Sequence, residues 1–121
     1  MGHRMREDIT TIGVLRDGEL AAVIGYDTFS QVDCNMHIAS DGCKRWANRT
    51  VLAHAFAYPF MQLRLRRVTA LVPASNRAAL KFDRQLGFLD EGYHPHSMPD
   101  DDTVTLGMLR EHCRWIPKEY R

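Results

Sequence analysis

Residues 71–92 read LVPASNRAALKFDRQLGFLDEG, and the order of signals in this stretch decides the fold. Leu71 to Pro73 closes a short apolar strand that begins at Arg66 (RRVTALVP). Ser75 or Asn76 is a side chain of the kind that accepts from the free N–H groups of a helix start, so a helix follows. Its inward side carries Ala79, Phe82 and Leu86, and Gly87 supplies the stop. Phe88 to Tyr93 then opens another strand, and Thr103 to Met108 a last one, joined by the polar loop Pro95 to Asp102.

Upstream, Val32 to Ala39 (VDCNMHIA) alternates Val32, Cys34, Met36 and Ile38 on one face with Asp33, Asn35 and His37 on the other. Ala47, Val51, Leu52, Ala55 and Phe56 then recur at helical spacing, up to about Tyr58, where Pro59 ends or kinks the helix. This strand, helix and strand make a βαβ unit with parallel strands. Before it, Ile9 to Leu15 and Leu20 to Tyr26 flank Asp17-Gly18, which predicts a β-hairpin buried on both faces. The expected architecture is α/β (α+β), a mixed central sheet with helical crossovers.

With 121 residues, the chain is long enough for a single domain over residues 1–121 and too short for two. Sixteen Lys and Arg stand against 15 Asp and Glu, so a generally basic nucleic-acid surface is excluded and any phosphate binding must be local. Three cysteines with no C-x-x-C pair, and no apolar leader, predict a reduced, cytoplasmic protein. No run approaches the ~18 apolar residues of a membrane helix.

The ordered set Asn76, Ala79 and Leu86-Gly87-Phe88, followed by Glu91-Gly92, resembles the second half of the GCN5-related N-acetyltransferase (GNAT) fold. The resemblance extends over most of residues 9–109. With Tyr58 to Phe60 (YPF) and Cys113 to Trp115 (CRW), the wording looks most like short acetyltransferase-like proteins of phages and prophages.

What the resemblance implies is an acetyl-CoA-dependent N-acetyltransferase acting on an unidentified amine by direct attack. Backbone groups of His37, Ile38 and Ala39 would meet the pantetheine arm, and the loop and helix start at Asp41, Gly42, Cys43, Lys44 and Arg45 would hold the pyrophosphate. The family's loop has Gln or Arg, two residues, Gly, one residue, then Gly or Ala. Here only Gly42 is present, so the charges of Lys44 and Arg45 would have to compensate, while Asp41 would repel phosphate unless it acts as a cap. Asn76 would bond the pantetheine or cap its helix.

Acetyl transfer needs a base for the amine and a fate for the thiolate. On the residues alone, Asp33 and His37 share a strand face, and His37 has the better unperturbed pKa, although a histidine satisfied by its neighbours is the alternative reading. In many family members a tyrosine about seven residues after the Asn protonates the thiolate. Asp83 stands there, and raising its pKa from ~3.9 to ~7 costs roughly 4 kcal/mol, so substitution is not expected.

His94, Pro95 and His96, and His112 beside Cys113, do not match a zinc pattern, and no metal is expected. The family's usual first strand and two helices are lacking before the hairpin, where only Met1 to Asp8 stand. One wall of the acceptor groove is therefore missing, supplied by a second subunit, or replaced by Arg110 to Arg121, and a homodimer is the expectation. The alternative reading is a non-catalytic CoA-binding or scaffold protein that keeps the fold.

Overall fold

A computed structural model describes residues 9–40 and 44–121. The hairpin is β1 (Thr10–Arg16) and β2 (Glu19–Asp27), followed by β3 (Asn35–Ser40) and a 3-10 turn at Lys44–Trp46. Helix α1 (Arg49–Ala57) continues into a π-helical turn at Tyr58–Gln62, and β4 (Arg67–Pro73), α2 (Arg77–Leu86), β5 (Leu89–Met98) and β6 (Asp101–Leu109) complete the order. The strands form one sheet in the order β1-β2-β3-β4-β6-β5. All neighbours are antiparallel except β3 and β4. The mixed sheet with helical crossovers is therefore the observed architecture.

Strand alternation separates the two faces of this sheet. Ile24 opposes Ile38, Tyr26 opposes Met36, and Val68, Ala70 and Val72 oppose Met108, Leu106 and Val104. These side chains pack into one core cluster with Leu52, Ala55 and Phe56 of α1 and Leu80 and Leu86 of α2. The other face carries Asp27, Asn35, His37, Thr69, Leu71 and Thr105, with neither helix over it. The segment after β6 does not cover it either. Arg114 and the Trp115 indole donate to the Gln85 and Leu86 carbonyls at the end of α2, and Cys113 and Ile116 join the same core. Arg110 to Arg121 therefore packs on the helix-covered side and leaves the open face bare.

Pro59 does not end the helical path. It lacks the N–H that would reach the Ala55 carbonyl four residues back, and the buried Tyr26 hydroxyl donates to that carbonyl instead, at 2.5 Å. Burial, first of all, pushes the Tyr26 phenol well above its ordinary value, so it stays a donor. Tyr26→Phe should lose ~1–3 kcal/mol, read as a lower urea midpoint at unchanged slope, because a buried carbonyl is left without its donor.

Four expectations need correction. The hairpin is not buried on both faces: β1 is an edge strand, and Leu15 and Leu20 are 68% and 60% exposed. Val32 lies before β3 and is exposed, because the Ser30 hydroxyl accepts from Val32 and Asp33 N–H and holds a turn there. The inward side of α2 is Leu80, Asp83 and Leu86, with Ala79 and Phe82 only partly buried to one side. Most of Pro95 to Asp102 is strand rather than loop, since β5 and β6 run on as a hairpin past a register shift between His94 and Met98. Pro95 is tolerated because β5 is the other sheet edge.

Candidate active site

Strands β3 and β4 pair at a single register position, Asn35 with Thr69. Toward their C-terminal ends they border a cavity, with Met36, His37 and Ile38 on one side and Ala70 to Pro73 on the other. Lys44, Asn76, Ala79, Phe82, Asp83 and Phe88 complete its lining. Met36, Ala70 and Val72, which belong to the helix-covered face, and His37 and Leu71, which belong to the open one, all border this cavity.

The residues expected at a cofactor site divide unevenly. Asn76 caps α2, its side-chain oxygen accepting from Ala79 N–H at 3.1 Å, and it also borders the cavity. Capping uses the amide's acceptor and leaves its two N–H donors available. Lys44 lies on the rim with its ammonium 4.6 Å from the centre of the Phe82 ring. His37 and Ile38 border the cavity, whereas Ala39 and Arg45 are exposed and do not. Asp41, Gly42 and Cys43 lie outside the described residues.

The two candidates for acid–base work have no contact with each other in the structure. The Asp33 carboxylate accepts from the Thr69 hydroxyl at 2.9 and 3.0 Å and lies 3.7 Å from Arg67, which also pairs with Glu91. His37 Nε2 is 3.1 Å from both carboxylate oxygens of Asp27, the last residue of β2. Asp27 was not among the expected site residues. Its signal lies in the β2–β3 register, which sets Asp27 opposite Asn35 and Gly25 opposite His37, and the hairpin pattern does not specify that register.

Asp83 is 8% exposed, and what remains opens on the cavity. Burial pushes its carboxyl up to about 6 from 3.8, against a lowering by Lys44. Most of the rise that substitution for a tyrosine was expected to require is present.

Among the described residues, no three of His, Cys, Asp and Glu gather as a metal site, and no helix is long and apolar enough to cross a membrane. No protein-family model and no curated protein sequence matches the chain. Solved structures do. A spermidine N-acetyltransferase from Vibrio cholerae in complex with CoA and spermine superposes with a TM-score of 0.77 over 92% of this chain and 71% of that one, at 17% identity. A probable acetyltransferase superposes with a TM-score of 0.72 over 89% of this chain and 66% of that one, at 20% identity. This chain has the GNAT fold. Within the GNAT fold, the short β3–β4 pairing and the capped start of α2 at Asn76 are the elements around which the cavity is built.

Proposed function

We propose that the chain is an acetyl-CoA-dependent N-acetyltransferase that uses the cavity between β3 and β4 for the acetyl-bearing arm and passes the acetyl group directly to an amine. The observation that carries this reading is the parting of two parallel strands after one paired position, beyond which β3 and β4 no longer pair with each other and residues of both border a cavity. An extended arm with amide groups satisfies such strand edges as a further strand would. Lys44, which borders the cavity, would meet the pyrophosphate, and the amide N–H groups of Asn76 would meet the arm. A neighbour of the same fold solved with CoA supports acetyl-CoA as the cosubstrate.

On the open face, Asp27 holds His37 through Nε2, which leaves Nδ1 to accept a proton from an attacking ammonium or amine. Asp33, committed to Thr69 and Arg67, would steady the strand beneath it. The neighbour bound to spermine makes a polyamine a sensible first acceptor, the class proposed here being a primary amine. The edge strand β1, with Leu15 exposed, and the exposed Leu20 beside it support the expectation of a homodimer.

The test is turnover of acetyl-CoA with spermidine and a panel of other primary amines, for the wild type and His37→Gln. Turnover that falls by about 100-fold in the variant is the expected result. Acetyl-CoA binding without turnover on any amine would instead favour the non-catalytic CoA-binding reading.

A further inference from the structure

The one carboxylate buried among the described residues is that of Asp83. Asp27 faces His37, Asp33 faces Thr69, Asp90 pairs with Arg84, Asp101 accepts from Ser75, Asp102 from Tyr93, and Glu91 takes Arg67. Asp83, which borders the cavity, has no hydrogen bond or ion pair to its carboxylate among the described residues. A leucine would fill the same inward position of α2 at no such cost, so the buried carboxyl needs a use.

We propose that Asp83 is the proton donor to the sulfur that departs when the acetyl group is transferred, a role that rests on the reading of this cavity as the acetyl-CoA site. The amine nitrogen forms a bond to the acetyl carbon, the carbon–sulfur bond breaks, and the electron pair stays on sulfur. The Asp83 O–H proton goes to that sulfur, giving the free thiol and an Asp83 carboxylate. The amine's own proton leaves by the opposite face through His37 or water, and solvent returns a proton to Asp83.

Position and surroundings both favour the step. Helix α2 carries Asp83 on the side of the sheet opposite His37, so the two proton transfers are separated across the cavity. The charged or titratable groups that border the same space are Lys44, from the 3-10 turn, and His37, from β3. Every other lining side chain from β3, β4, α2 and the start of β5 is uncharged. A carboxyl near 6 is about a tenth protonated at pH 7, and an ordinary thiol near ~8.5 is basic enough as its thiolate to take that proton downhill. An uncharged arm that displaces water from the cavity would raise the protonated share further.

The test compares the wild type with Asp83→Asn, which keeps shape and polarity but has no acidic proton. With acetyl-CoA and spermidine, or hydroxylamine as a small acceptor, the variant's kcat should fall by about 100-fold at pH 6. The variant should also lose the tenfold-per-unit decline in kcat that the wild type shows above its acid's pKa. With the acetyl thioester of a nitrothiobenzoate, whose thiolate leaves without a proton, the variant should come within about twofold of the wild type. Calorimetric affinity for acetyl-CoA should be unchanged. An unaltered kcat and pH profile, or an equal deficit with both thioesters, overturns the donor role while leaving the site in place. A folded wild type that binds no acetyl-CoA overturns the site reading itself, and the donor role with it.

Discussion

Phe56→Ala should lower stability by ~3–5 kcal/mol, the loss of a fully buried aromatic together with the cavity it leaves. For a chain of this length that is roughly 12–20 °C in Tm. Phe56 has no exposed surface, and its ring lies 6.2 Å from that of Phe60 and 6.1 Å from that of Phe88. It therefore joins α1 to the π-helical turn beyond Pro59 and to the residue that follows the Gly87 stop. Helix α1 has nine residues, too few to persist in water without such an anchor. Its other buried side chains are Leu52 and Ala55, and Ala55 adds little area. Calorimetric unfolding of the variant checks the size of the effect. A loss below ~1 kcal/mol would mean that α1 is held by something other than this aromatic contact.

Asp83→Asn should move stability in the opposite direction. Below pH about 4 the wild-type carboxyl is protonated in both the folded and unfolded chains and costs nothing. Between about 4 and 6 the unfolded chain ionises first, and folding stability falls as pH rises. Above about 6 the penalty is complete and constant. At about 1.4 kcal/mol per pKa unit, the full penalty is ~3 kcal/mol. The Asn variant escapes it, so its Tm should exceed that of the wild type at pH 7–8 and the two should converge by pH 4. A pH-independent difference would show that the carboxyl is not carried at a cost. A gain in stability together with a loss of turnover is the pattern expected of a group kept for chemistry rather than for folding.

Local signals were sufficient for the half of the chain where they agree with one another. Arg66 to Pro73 differs from β4 by one residue, Asn76 does cap α2, and Gly87, at φ 120°, is the stop. At Gly87 an added side chain would be strained by the backbone and would also meet Arg114 and Met108. The two strands of the β5–β6 hairpin were legible, but their continuation past His94 was not, because Pro95 and the aspartates around Asp101 carry turn composition. Only the position of β5 at a sheet edge, a property of the whole fold, makes Pro95 compatible with a strand.

The site shows the same division. His37, Ile38, Lys44 and Asn76, which the resemblance implied, border the cavity. Asp27 was missed because the partner of His37 depends on the register of two strands joined by a loop, and a one-residue slip would have sent a different side chain to that face. The inward side of α2 was read as Ala79, Phe82 and Leu86 because hydrophobic periodicity assigns apolar residues inward, and the buried Asp83 breaks the pattern from which the helix face is read.

The central claim is that the cavity between β3 and β4 takes the acetyl-bearing arm of acetyl-CoA. Titration of the full chain with acetyl-CoA, followed by amide chemical shifts, tests it most directly. Micromolar binding is predicted, with the largest shifts at His37 to Ser40 and Val72 to Asn76 and small ones along β1. Folded protein that shows no binding, or shifts concentrated away from β3 and β4, would contradict it.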